Sequence, residues 1–519
     1  MIYDILLIVY FAGSLAGLCM VFRKAGIAWW KALVPFYNIV LWTRMCNKRW
    51  WWYVFLFVPA INIFFLLLLV TETARIFRRY GFVEQVLAIV FPWVYLPWIG
   101  LNPRCEYHDV RTDPPAKVGN GRDWADAIAF ALVAAMIIRG YCIELYNIPS
   151  SSMEKSLMTG DHVMVSKLAY GPRASMTPLA VPLVHNTMPL TGGQVESYLK
   201  WIQLPYHRYP GFGKVKRYDA VVFNYPDGDT MCSAQFSNRS YHELVRRYGR
   251  EAVEADRVVD EYGNRIEIGK IRVRPVDKRE NFVKRCIGLP GETIEIRDRQ
   301  VLIDGKPIEL PDDAQYTYAI RFNDLAIPGR VLEQAGVSRE DIYRAEEQIR
   351  YSGVPYYVVP LTREMASRLE NKYEVVDLQP LIHPADSLQA GEMFPNTPSC
   401  CWSVDNYGPV HIPARGELLK LTPANLPLYR RVIEVYEGNR VEEKDGTIYI
   451  NGQATDEYRC RMDYYWMMGD NRHNSVDSRF WGFVPEDHIV GKARVVYYSW
   501  DKERRKVRWN RMFRNASKR

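Results

Sequence analysis

The chain has 519 residues, with 67 Lys and Arg against 59 Asp and Glu, a net charge of +8 and an apolar share of 48%. That composition excludes wholesale disorder. Residues 501–519 alone hold nine Lys or Arg against Asp501 and Glu503, so the rest is nearly neutral and lacks the basic folded face of a nucleic-acid binder.

The first elements are apolar. Residues 5–22 carry no charge and are long enough to cross a hydrocarbon core of about 30 Å. Asp4 and the lack of a basic residue before them argue against a cleavable signal peptide, so the segment reads as a retained anchor. A second uncharged run, 50–71, opens on Trp50, Trp51, Trp52 and Tyr53, which suits a headgroup-level aromatic belt. A third, 85–103, contains Pro92 and Pro97, and a weaker fourth, 124–143, is bracketed by Asp126 and Arg139. Residues 23–49 hold six basic residues and no acid, which places that loop on the cytoplasmic side and the N-terminus outside. Three or four spans follow, with everything beyond residue 144 exported in the four-span case. Arg75, Arg78 and Arg79 then fall on the outer side, against the rule.

Beyond residue 144 apolar residues come in short runs between Gly, Pro and Asp. Residues 219–225, 293–303, 432–436, 447–450 and 494–500 read as strands, and Asp304-Gly305 and Asn451-Gly452 as hairpin turns. Residues 330–350 and 361–373 look helical and charged. The expected architecture is a mainly β, antiparallel exported domain with a partly helical insertion, on an α-helical membrane anchor. Its parts are an anchor (1–122), a membrane segment leading into the catalytic domain (123–146), β-domain halves (147–310 and 432–500), an inserted subdomain (311–431) and a basic tail (501–519), more a frayed terminus than a lipid contact.

Nine cysteines, among them Cys286, Cys400, Cys401 and Cys460, show no C-x-x-C pair and no zinc spacing. HExxH, Walker A and GxGxxG are absent. No metal, no other cofactor and no essential disulfide are expected.

Three stretches carry candidate chemistry: Pro149-Ser150-Ser151-Ser152-Met153, the strand around Lys284, and the polar loop from Gly469 to Arg479. The first two read alone as a polar turn and a solvent-facing lysine. The third could be a long surface turn, but a loop of that length without apolar content is more often functional than decorative.

Together, and in this order, they resemble bacterial type I signal peptidases. Residues 149–153 resemble that family's P-S-x-S-M box, residues 219–226 and 284–292 its next two strand motifs, and residues 469–479 its G-D-N-R-x-N-S-x-D-S-R box, continued by Trp481-Gly482-Phe483-Val484-Pro485. The resemblance implies a membrane-bound serine endopeptidase that cuts secretory preproteins after small residues at −1 and −3. It implies Ser152 as nucleophile, Lys284 as general base, and Ser150 with the Ser152 backbone N–H as oxyanion hole. It also implies Ser475 as the hydroxyl that orients the lysine, and Asp477 with Arg285 and Arg479 as supporting ion pairs. Its implied place is the bacterial inner membrane, catalytic domain on the periplasmic side, with preproteins, the bilayer and the secretion translocase as partners and no nucleic acid. Lys155 and Ser156 depart from the Pro-Thr of the family's usual Met-x-Pro-Thr-Leu, and Glu154 and Lys155 add two charges near the site.

The chemistry has its own logic. A serine needs a base to take its proton, and a lysine is a base only when neutral. Its ordinary pKa of about 10.4 leaves roughly 0.04% neutral at pH 7, so burial must lower it. Two rivals remain open. Ser152-Met153-Glu154-Lys155 also spells the S-x-x-K of penicillin-binding acyl-transferases, although their S-x-N and K-T-G partners are missing. A catalytically inactive membrane protein that binds exported chains is the other, and the nearby His473 tempts a Ser–His reading.

Overall fold

The computed structural model describes residues 2–517 apart from 58–60, 114–130, 132–133, 182–183, 190, 192–194, 233–239, 260–264, 267, 270, 324–327, 373–374, 386–390 and 399. The chain divides into two compact units, one of Met1–Arg139 with Thr177–Leu204, the other of Gly140–Met176 with Pro205–Arg519.

The first unit is helical, with helices Ile2–Lys24, Tyr37–Met45, Trp51–Phe57, Ile61–Ile76, Phe82–Val90 and Pro92–Leu101. Ile2–Lys24 lies against Pro92–Leu101, and Gly17 permits the approach: a Cβ there would stand 2.5 Å from Pro97 Cδ. Pro92 sets the break after Val90, because the residue before a proline is driven out of helical geometry. Val83–Val90 and Pro92–Leu101 consequently meet at 118°. Among the described residues no single helix is long and apolar enough to cross a membrane, and this bent pair qualifies only when its two arms are taken together. The expected second span falls on two helices, Trp51–Phe57 and Ile61–Ile76. Of the expected fourth, 124–143, residues 124–130 and 132–133 lie outside the described residues, and Ile138–Cys142 form a π-helical turn that runs into strand Ile143–Asn147.

The second unit is built on an antiparallel sheet. Its strands run, in spatial order, Ile143–Asn147, Asp161–Ser166, Ile489–Asp501, Ala220–Asn224, Asn281–Gly288, Tyr464–Met468 and Val484–Pro485. Ala220–Asn224 is buried at every position because both faces are covered. Ala220 and Val222 pack with Ile148, Met153 and Leu157 on one side. Val221 and Phe223 pack with Cys286, Met467 and Trp481 on the other.

The 293–303 run is a hairpin, Thr293–Arg297 with Gln300–Ile303, turned at Asp298 and Arg299, both at positive φ. Asp304-Gly305, also at positive φ, makes the next turn to Lys306–Pro307. One expected strand is overturned: residues 432–436 continue the Leu426–Arg431 helix as a π-helical turn. Val432 and Ile433 reach the core there as helix residues, so packing overrides their β preference.

Residues 311–431 serve two cores. A three-stranded antiparallel sheet, Tyr357–Thr362, Gln315–Phe322 and Val375–Pro380, carries helices Pro328–Ala335, Arg339–Ser352 and Arg363–Lys372 over Ile320, Leu332, Val359 and Leu369. Met393, Phe394, Tyr407 and Leu426 instead join Ile294, Ile296 and Trp466 in the β-domain core.

The basic tail is not frayed. Arg514–Asn515 pairs with Ile489–Asp501, Ala516 is buried, and Arg511 reaches inward to the fully buried Asp161. Asp501, Asp161 and Asp313 neutralise Arg508, Arg511 and Arg514, which is why a chain so basic can dock.

Candidate active site

The serine-rich segment leaves strand Ile143–Asn147 and turns back into Asp161–Ser166. Met153 and Leu157 are its anchors, 1% and 0% exposed, and they leave Ser150 and Ser152 on the open side. Gly160, at φ +88, closes the turn against the Trp500 carbonyl, where a Cβ would come within 2.2 Å. Ser150 Oγ and Ser152 Oγ stand 3.5 Å apart.

Lys284 arrives from the middle of Asn281–Gly288, 4% exposed, with its Nζ 2.5 Å from Ser152 Oγ. Burial pulls its amine down to about 8, against the opposing pull of Asp477 and Asp470 and with a smaller push from Arg479. At that value a substantial fraction is neutral near physiological pH, and a neutral amine at this distance accepts the serine proton. A cavity of about 130 Å³ opens beside the pair, lined by Ile148, Val163, Val222, Phe282 and Ala493 among others.

Next along the strand, Arg285 points to the opposite face, as strand alternation requires. There it is buried in a forked pair with Asp470, Nε to Oδ1 at 2.7 Å and Nη2 to Oδ2 at 2.6 Å. The expected network of Asp477 with both arginines is therefore corrected. Among the described residues Asp477 pairs with Arg479 (2.9 and 2.8 Å) and not with Arg285, and it also accepts from the Gly469 N–H. Burial alone would raise the Asp477 carboxyl, but Arg479 outweighs it and holds it below the usual range.

Ser475 is buried beside Gly469, yet its Oγ has no hydrogen-bond partner among the described residues and is not joined to Lys284. Gly469 is the hinge of this corner: a Cβ there would meet Ser475 Oγ at 2.2 Å and the Ser152 carbonyl at 2.6 Å. Sequence reasoning missed Asp470, Asn471 and Asn474. The Asn471 backbone N–H donates to the Ser152 carbonyl (3.1 Å) and its side chain to the Ser151 carbonyl (3.3 Å). Asn474 donates to Ser151 Oγ (3.1 Å). Their signal was the two amides and one acid packed around a single arginine in that loop, all of them groups that bond backbone.

The competing bases point elsewhere. Lys155 Nζ donates to the Gly336 carbonyl at 2.6 Å, away from Ser152. His473 Nδ1 accepts from the Thr317 N–H (3.2 Å), so its proton sits on Nε2 and goes to Asp405 (2.9 Å). Neither ring nitrogen is left for a serine hydroxyl. His383, Asp405 and His473 bring three potential ligand atoms within 4.8 Å of one another. The same tautomer opposes a metal, because ligation through Nε2 would turn an Nδ1–H against the Thr317 N–H.

Residues 121–394 and 458–500, more than half of the chain, match the model of the family described as signal peptidase, peptidase S26. Residues 30–110 match a family of unknown function. The chain is 72% identical over 36 residues to signal peptidase I of Aquifex aeolicus, covering 7% of this chain and 14% of that one. It is 31% identical over 107 residues to probable signal peptidase I-2 of Synechocystis, 17% of this chain and 49% of the other. Over 64 residues it is 55% identical to signal peptidase I of Buchnera aphidicola, 10% and 20% of the two chains. The chain thus spans at most about half the length of these relatives.

Proposed function

The chain belongs to the signal peptidase family, peptidase S26, and on that basis we propose that it is a membrane-bound serine endopeptidase that removes signal peptides from secretory preproteins. Ser152 attacks the scissile carbonyl, and neutral Lys284 takes its proton and returns it to the leaving amine. Ser150 Oγ and the Ser152 N–H stabilise the oxyanion. The observation that carries the reading is the 2.5 Å approach of Lys284 Nζ to Ser152 Oγ inside a buried setting that lowers the amine to about 8. Ser475, buried beside Gly469, is the hydroxyl this reading assigns to orienting the lysine, and Asp477–Arg479 with Asp470–Arg285 hold the surrounding loops.

The apolar cavity of about 130 Å³ beside Ser152 and Lys284 supports binding of a small apolar residue at −1. The helical unit is the anchor in this reading, multi-pass in the inner membrane, with the β-domain on the periplasmic side where precursors emerge from the translocase. The test is incubation of detergent-solubilised protein with a preprotein bearing alanine at −1 and −3. Cleavage by wild type and its loss in Ser152→Ala and in Lys284→Ala are expected. Retained cleavage in Lys284→Ala ends the dyad reading.

A further inference from the structure

The compact part of the insertion, 315–380, takes no part in the chemistry above, yet it touches both loops that frame Ser152. The first contact is Lys155, three residues past the serine. It sits at φ +70, a left-handed conformation that costs a lysine about 1 kcal/mol and persists only when the surroundings hold it. It is held at both ends: Nζ donates to the Gly336 carbonyl (2.6 Å), and its own carbonyl accepts from Arg511 Nη1 (3.2 Å). Gly336, at φ +104, ends helix Pro328–Ala335, and the Val337 N–H closes back on the Leu332 carbonyl, so the Gly336 carbonyl is aimed by a defined helix end.

The second contact is a rail. Gln315, at the head of strand Gln315–Phe322, donates its N–H to the Asp470 carbonyl (2.8 Å) and accepts from the Arg472 N–H (2.9 Å), in a parallel bridge to Asn471. One residue pair further on, the Thr317 N–H fixes His473. The loop that runs from Gly469 past Ser475 is thereby stitched to the insertion, while Asn471 and Asn474 of the same loop grip Ser151 and Ser152.

Resting on the hydrolase reading, we propose that the inserted subdomain is a positioning element of this enzyme. It fixes the turn after the nucleophile through Lys155–Gly336 and the Gly469–Ser475 loop through Gln315, so that Ser152 and Lys284 are held in register by residues absent from the dyad itself. Lys155 is a positioning residue and not a base. The charges that bear on Lys284 are Asp477, Asp470 and Arg479, and those that bear on Lys155 are Glu154, Asp341, Arg511 and Asp313. The two lysines share the turn Ser152–Lys155 and have no charged neighbour in common among these groups.

The test uses the full-length protein as wild type, Lys155→Met, Lys155→Arg and Gly336→Val. Two quantities are read: kcat and KM on a preprotein, and the titration midpoint of Lys284 Nζ from pH-dependent acetylation followed by mass spectrometry, which needs no cleavage. A displacement of the nucleophile on the order of 1 Å costs about 100-fold. Lys155→Met and Gly336→Val are expected to lower kcat by about 10-fold to 100-fold with KM within about 2-fold, and to raise the Lys284 midpoint as water enters. Lys155→Arg keeps the donor and should keep both quantities. An unchanged kcat and midpoint in Lys155→Met and Gly336→Val would overturn the proposal, as would an effect confined to Lys155→Met, which would trace it to that charge alone. If Gly336→Val unfolds its helix, Lys155→Met still decides against the proposal when kcat and midpoint are unchanged. Lys155→Gln, neutral but able to donate, then separates hydrogen bond from charge: retained kcat and midpoint support the proposal, and losses equal to those of Lys155→Met overturn it. If wild type cleaves nothing while Lys155→Met and Gly336→Val still raise the Lys284 midpoint, the hydrolase reading is refuted and the insertion's positioning role stands.

Discussion

Lys284 and Arg285 are neighbours in one strand and serve opposite electrostatic ends: Lys284 meets Ser152 in a setting that weakens its hold on the proton, while Arg285 is locked as a cation by Asp470. Strand alternation is what allows this. One face offers an apolar pocket with a hydroxyl, the other a buried carboxylate, and a single peptide unit separates them.

The first prediction concerns pH. Lys284 sits at about 8 in the folded chain against an ordinary 10.5. Only the neutral amine is a base, so kcat/KM should rise with pH through a limb centred near 8. The sign for stability is separate. The unfolded chain binds the extra proton between the two values, so stability rises with pH through that window, and below it folding carries a cost of about 3 kcal/mol. Lys284→Met removes that cost. Its thermal midpoint should exceed that of wild type at pH 7 and the gap should shrink by pH 10; an equal gap at both pH values would contradict the burial of this amine.

Gly469→Ala tests the corner between the loops. The added methyl has no room, because one neighbour is the Ser152 backbone carbonyl at 2.6 Å and the other is the Ser475 side chain. Overpacking of this kind costs about 1–3 kcal/mol and displaces backbone. Activity should fall by more than about 100-fold while circular dichroism stays native, since the strain lands on the nucleophile. Near-wild-type kcat would show that the Ser152 carbonyl is free to move.

Asp470→Asn leaves Arg285 charged and fully buried with half its partner removed. Breaking a buried pair from one side costs about 3–5 kcal/mol, whereas exchanging both members for apolar residues of similar volume is far milder. Denaturant unfolding should rank Asp470→Asn well below the double variant Arg285→Met, Asp470→Leu. Equal losses would mean that the pair contributes by packing alone.

Ser152 and Lys284 were singled out only through the family resemblance, since alone they read as a polar turn and a solvent-facing lysine. The main strands were legible in the sequence because each depends on a local pattern, such as DAVVFNY for a covered strand. The pairing of Arg285 with Asp470 was not, because it joins positions 185 apart and the loop offers two acids, Asp470 and Asp477, to two arginines. Residues 432–436 misled for a related reason. Their β-branched run is ambiguous between a strand and a buried helix turn, and only the tertiary neighbours decide. The 315–380 subdomain showed its helices through their charged periodicity, but its contact with the catalytic loops runs through backbone atoms, which no side-chain pattern encodes.

The tail was the largest misreading of charge, and it yields the last prediction. Nine basic residues in nineteen look like a solvated terminus, but Arg511 is 5% exposed and spends its guanidinium on the buried Asp161 (2.7 Å) and on the Ser156 carbonyl (2.9 Å), two groups of the turn that carries Ser152. Ser499 also donates to Asp161 (2.6 Å), so this carboxylate has a second partner when the arginine is lost. Arg511→Met should therefore cost about 2–4 kcal/mol, somewhat under the full penalty for an orphaned buried charge. Truncation after residue 505 removes Arg511 and the Arg514–Asn515 strand together, and should cost more. Urea unfolding of the three proteins checks the order. If truncation leaves the midpoint of wild type unchanged, the tail is an ornament on the sheet and the nucleophile turn is held without it.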